Sequence, residues 1–162
     1  MNARVMKKRN QSLQENIEAV EIHLRNIKRI VGNLESLFPF TAEKVEHITF
    51  DEQDRCDALL FRFTHAQDTL ADKIFPDFLD AIKEQPVAAV LDRLSLLEKL
   101  KIIDSSYQWS DLRDLRNNLS HEYSSNADLQ ADLLNQVRDS FPVLVATFER
   151  IKNRLAKCNE YN

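Results

Sequence analysis

From Leu13 the aliphatic residues recur at alternating steps of four and three: Leu13, Ile17, Val20, Leu24, Ile27, Val31 and Leu34. Such spacing lays one apolar stripe along a helix, here from about Ser12 to Val31. The stripe fits the core seam of a bundle or a seam between chains. Gly32 is expected to break the helix, and Leu37, Phe38, Pro39 and Phe40 read as an apolar loop. A second helix is predicted from near Asp51 to about Phe75, with Leu59, Leu60, Phe63, Ala66, Leu70 and Ile74 on its buried face. Pro76 interrupts that run, and a short turn carries Phe78, Leu79 and Ile82.

Pro86 suits the first turn of a third helix. That helix should bury Val87, Val90, Leu91, Leu94, Leu97 and Leu100 and end near Asp104. The fourth starts at Ser105–Ser106, where Ser105 and Gln108 fit a capping box, and runs through Trp109, Leu112, Leu115 and Leu119. Asn126 is a candidate N-cap for the last helix, which carries Leu129 to Leu155 and contains Pro142. The pattern predicts an all-α fold: an up-and-down antiparallel bundle of about five helices, the last kinked or split near Pro142. Trp109 and the nine phenylalanines are expected in its core, and His23, His47 and His65 at exposed or capping positions.

Composition sharpens this picture. One glycine in 162 residues excludes the multi-glycine loops that cradle phosphates. Cys56 and Cys158 form no pair motif and fit a reducing cytoplasm. The longest apolar run, Val87–Leu91, is far short of the roughly 20 residues a spanning helix needs, so no membrane segment is expected. No apolar stretch follows the basic residues at the start, so no signal peptide is expected either. Residues 1–10 hold Arg4, Lys7, Lys8 and Arg9 without an acid and read as a flexible basic tail of a single domain. The net charge of −4 argues against binding long nucleic acid through bulk charge but leaves room for a small basic cleft. His23, His47, His65 and His121 have no His or Cys at ligand spacing, so neither a metal nor a cofactor is expected.

The chemistry concentrates in Arg116-Asn117-Asn118-Leu119-Ser120-His121-Glu122-Tyr123. Leu112, Leu115 and Leu119 define the apolar face of that helix. Arg116 and Tyr123, seven residues apart, fall on its margin within about 20° of each other. An arginine there needs a carboxylate, an interface or an anionic ligand. His121 can exchange a proton near neutral pH, and an arginine fork suits the charge developing on phosphorus. Together they could cleave RNA without metal: His121 assisting attack of the 2′-hydroxyl, Arg116 stabilising the pentacoordinate phosphorus. On a straight helix, however, Arg116 and His121 lie about 140° apart. Either the helix ends or tightens near Ser120, or two copies of the motif meet across a symmetric dimer. The plainer alternative is that Arg116 pairs with a helix acid and His121 caps a helix end.

Arg116, Asn117 and His121 match the R-x4-6-H motif of the HEPN superfamily, all-α domains that include nucleases. Tyr123 completes the R-x4-H-x-Y pattern of the HEPN toxins paired with minimal nucleotidyltransferase antitoxins. The stretch from Pro86 to Tyr123, with Trp109 seven residues before Arg116, also resembles that subgroup. The resemblance implies a metal-independent ribonuclease working as a homodimer, with Arg116 and His121 catalytic in the interface cleft. It further implies Asn117 as a supporting residue and a cognate nucleotidyltransferase antitoxin that neutralises the toxin, in some systems by transferring AMP from ATP to the motif tyrosine, here Tyr123. Other relatives are substrate-binding partners of nucleotidyltransferases, so a non-catalytic nucleotide-binding subunit stays open.

Overall fold

The computed structural model describes residues 3–82, 84, 87–121 and 126–160, with side chains for 9–82, 84, 87–119 and 126–158. Among them are seven α-helices and no strand: α1 (Ala3–Asn33), α2 (Ala42–His47), α3 (Phe50–Asp68), α4 (Phe75–Ala81), α5 (Val90–Lys99), α6 (Ser106–His121) and α7 (Ala127–Glu160). A 3₁₀ turn, Glu35–Leu37, follows α1, and a π-helical stretch, Thr69–Ile74, joins α3 to α4. The fold is an all-α bundle, as the hydrophobic periodicity predicts.

The long helices alternate in direction, and side-chain pairs reveal it. Near the start of α1, Arg9 bonds Asp77 and Asp80 of α4, both at 3.0 Å. Near its end, Arg29 and Asn33 border Asp54 and Arg55 at the start of α3. So α1 runs antiparallel to the α3–α4 run. Lys152 meets Glu21 at 2.7 Å and Arg138 meets Glu35 at 3.2 Å, so α7 is antiparallel to α1. Arg116 meets Asp68 while Leu119 lies beside Leu60 and Thr64, so α6 is antiparallel to α3. The four long arms go up, down, up and down.

The stripes meet in one core. Val20, Ile27 and Leu34 of the first stripe are fully buried against Leu59, Phe63, Leu70 and Ile74, with Phe75, Phe78 and Trp109 filling the middle. Phe75 and Trp109 pack at 4.7 Å between ring centres. The Asn135 amide clamps the loop after α1: it accepts from Phe40 N–H at 2.8 Å and donates to Phe40 C=O at 3.0 Å. That loop contains a cis Phe38–Pro39 bond, and Arg138 stacks over Phe38.

Several boundaries differ from the sequence expectation. Helix α1 starts at Ala3, inside the segment read as a basic tail, and Arg9 is held by two carboxylates. Gly32 lies within α1 instead of breaking it, since one glycine costs only about 1 kcal/mol in a helix. Pro76 does not interrupt the second run. It occupies the first turn of α4, where a missing N–H costs little. The six-residue α2, capped by Thr41, was not foreseen. Pro142 sits inside α7, which continues through it to Glu160, so the helix is not split. Asn126 caps α7 as expected, its Oδ1 accepting from Leu129 N–H.

Helix α5 departs furthest. It begins at Val90, leaving Val90 and Leu91 exposed, Leu91 at 68%. Only Leu94 and Leu97 are buried within it. It ends at Lys99 rather than near Asp104, because Lys101 takes a left-handed backbone (φ 61°). Lys101 N–H bonds Glu98 C=O and Ile102 N–H bonds Leu97 C=O, the two bonds of a Schellman cap. Buried Ile102 and Leu97 supply its apolar contact. A lysine is strained there and glycine is not. Lys101→Gly is therefore expected to stabilise the protein by about 1 kcal/mol in urea unfolding. Destabilisation would show that the cap is not what ends α5.

Candidate functional site

Two caps fix the start of α6. The Ser105 hydroxyl accepts from Gln108 N–H at 3.3 Å, half of the expected capping box, and Glu98 Oε2 accepts from Ser106 N–H at 2.8 Å. From that start, Trp109, Leu112, Leu115 and Leu119 all point into the core, as the spacing predicts. The same rotation places Arg116 on the margin of the buried face and Asn117 in solvent.

Arg116 reaches across to α3. Its Nε donates to Asp68 Oδ1 at 2.6 Å and its Nη2 to Asp68 Oδ2 at 2.7 Å. This is the bidentate fork that fixes a guanidinium plane. Nη1 donates to Asn117 Oδ1 at 3.4 Å. The hydrogen bonding that Arg116 donates to Asp68 is the main reason its guanidinium is held above its ordinary pKa; the charges of Asp68 and Asp72 add to it, against partial desolvation. Asp68 thus supplies the carboxylate that the arginine's position demands. That position alone does not call for an anionic ligand, as the plainer reading of the sequence allowed.

Of the motif residues, the structure brings Arg116 and Asn117 together and adds Asp68. Helix α6 neither ends nor tightens into a 3₁₀ turn before His121, so the rotation between Arg116 and His121 along the helix remains. The His121 side chain and the whole of Tyr123 lie outside the described residues, as do Pro86, Ser124 and Ser125. Asp68 was missed by sequence reading. It lies 48 residues from Arg116, and nothing local marks it apart from the other acids of α3.

A second cluster lies between α1 and α3. The His23 and His65 rings stack at 5.8 Å with 14° between planes, and Phe61 leans on His65 at 4.2 Å. Phe61 is 58% exposed, against the expectation that every phenylalanine is core; Phe50 is exposed too. His23 is half-buried instead of exposed, and among the described residues its Nδ1 has no hydrogen-bond partner. Cys56 is fully buried, its thiol pushed up to about 12 by burial and by nearby Asp57 and Glu52, which makes it inert at neutral pH. Among the described residues no group of three or more His, Cys, Asp or Glu is placed to hold a metal, and no helix is long and apolar enough to cross a membrane.

Burial lowers the His23 pKa, and the charges of Arg62 and His65 lower it further. The unfolded chain then takes up a proton near pH 6.5 that the folded chain refuses. The contribution of His23 to stability is complete above that pH and falls away as pH drops towards the depressed folded value. Thermal melts from pH 7.5 to 5 should show this loss, and His23→Gln should reduce it. An unchanged pH slope in His23→Gln would mean that the imidazole titrates freely in the folded state.

No family model matches the sequence, and neither the curated proteins nor the solved structures yield a match.

Proposed function

We propose that the chain is a metal-independent endoribonuclease toxin of the HEPN type, acting as a homodimer and controlled by a minimal nucleotidyltransferase antitoxin. The observation that carries this reading is the R-x4-H-x-Y string of the sequence, whose Arg116 lies on α6 and is oriented by Asp68 at the α3–α6 seam. In the reaction, O2′ of a ribose attacks the adjacent phosphorus and the P–O5′ bond breaks. His121 accepts the 2′-hydroxyl proton, the departing O5′ takes a proton from water to leave as a hydroxyl, and Arg116 stabilises the charge on the phosphoryl oxygens. Asp68 is a positioning residue: it grips one edge of the guanidinium and fixes its plane. Helical continuity to His121 supports a cleft between two copies, in which the arginine of one chain faces the histidine of the other.

A non-catalytic, nucleotide-binding subunit of a nucleotidyltransferase is the second reading. The Asp68 fork favours it, because Asp68 occupies an edge with which an arginine grips phosphate. RNA cleavage separates the two. Arg116→Ala and His121→Ala should each abolish cleavage and growth arrest on induction, a loss on the order of 3 kcal/mol of transition-state stabilisation or more. EDTA should not inhibit. The unfolding free energy of His121→Ala should stay close to wild type, and that of Arg116→Ala should fall by no more than a partly exposed ion pair allows, about 1 kcal/mol. Asp68→Asn, which keeps one acceptor, should lose less activity than Asp68→Ala. Inhibition by EDTA would overturn the metal-free mechanism, and an active His121→Ala would overturn the ribonuclease assignment.

Control is assigned to Tyr123. A transferred AMP places a phosphate beside the motif, where it occupies Arg116 and repels the RNA backbone. Incubation with the cognate nucleotidyltransferase, ATP and Mg²⁺ should raise the intact mass by one or more AMP units, located at Tyr123 by peptide mapping. Tyr123→Phe should still cleave RNA yet escape neutralisation. Neutralisation with Tyr123 unmodified would show that the antitoxin acts by binding.

A further inference from the structure

Helix α3 is flanked by two hollows. On its α1 side, a hollow of about 300 Å³ is bordered by Arg29, Arg55 and Arg62, with Asp54 at its edge. Arg55 and Arg62 are seven residues apart and share a face of α3. Among the described residues neither has an ion-pair partner, and Arg29 donates only to the neutral Asn26 amide. Three arginines converge there on a chain with a net charge of −4, although abundant acids could have paired them. On the α6 side, a hollow of about 360 Å³ is lined by Asp57, Phe61, Thr64, His65 and Leu119. Phe61 and His65 lie between the two with their rings in contact, and Phe61 is 58% exposed. Thr64 is one helical turn, ~6 Å, from Asp68, and so close to the Arg116 guanidinium.

An arginine-lined track beside an exposed aromatic ring is the arrangement that holds single-stranded nucleic acid: cations follow the phosphates and a base stacks on the ring. A duplex keeps its bases stacked inside and cannot use Phe61. The Asp57 carboxylate and Thr64 hydroxyl can accept from exocyclic amino groups of a base lodged in the α6-side hollow. We infer that the α3 ridge is a single-strand RNA track, with backbone phosphates on Arg29, Arg55 and Arg62 and an unpaired base on Phe61, leading to the Arg116 seam. This rests on the ribonuclease reading for its ligand class, and it names the substrate form: unpaired RNA, met on a basic track separate from the R-x4-H string.

The test uses the full chain and a fluorescein-labelled ten-nucleotide RNA whose riboses are 2′-O-methylated. The probe has no attacking hydroxyl, so binding is read without cleavage. Fluorescence anisotropy should show tighter binding of the single strand than of its duplex. Phe61→Ala should weaken single-strand binding on the order of tenfold, and Phe61→Trp should restore it. The Arg55→Ala, Arg62→Ala double variant should flatten the slope of log affinity against log salt by about 1.4, two phosphates' worth. Equal affinity for duplex and single strand, wild-type binding by Phe61→Ala, or an unchanged salt slope would each overturn the track. So would light scattering that shows Phe61→Ala converting a dimer to a monomer, because the ridge would then be an interface between copies. Tight single-strand binding by a chain that cleaves no unmodified RNA would keep the track and remove the ribonuclease reading. Cleavage with Phe61-independent binding would do the reverse.

Discussion

Burial of α3 on several sides is the constraint from which the rest of the molecule follows. Cys56, Leu59, Leu60, Phe63, Ala66 and Gln67 of α3 are buried, and the helix packs against α1, α6 and α7. Its remaining positions carry polar and charged side chains at the edges of those contacts and in solvent. Asp68 occupies the strip beside α6, Phe61 and His65 a ridge, and Arg55 and Arg62 the strip beside α1. The packing of one amphipathic helix places each of these groups.

The Arg116–Asp68 pair illustrates what such a strip does. The side chains are 30% and 32% exposed, so the pair contributes little to stability compared with the core around it. Its consequence is orientational. Two parallel hydrogen bonds hold the guanidinium plane, which a single contact to a lysine could not do. An arginine held in this way loses little freedom when a phosphate arrives.

Much of the fold is legible in the sequence because core stripes are local patterns. The four-three spacing from Leu13 and the Leu112, Leu115, Leu119 face each lie on one helix and report its buried side directly. Asn126 is legible for the same reason: an N-cap bonds a backbone only three residues away. The failures share the opposite property. Nothing in the run towards Asp104 shows that α5 stops at Lys99, because that end is set by the backbone of Lys101. Phe61 carries the same apolar signal as buried Phe63, but two residues turn the helix by about 200°, which leaves it in solvent. Asp68 was invisible as a partner because its arginine lies 48 residues away. In the candidate site the arginine was legible from its marginal position on α6. The acid that orients it was not.

The proposed composite cleft makes the sharpest demand on the molecule. Arg116 and His121 sit on one continuous helix and about 140° apart around it, so they should serve the same phosphate only from different chains. Purified Arg116→Ala and His121→Ala proteins, each inactive alone, can be mixed, exchanged through mild denaturant and assayed for RNA cleavage. A mixed dimer carries one intact arginine and one intact histidine on opposite chains, and cleavage should reappear in the mixture. A mixture that forms mixed dimers yet stays inactive, beside an active wild type, would contradict the shared cleft.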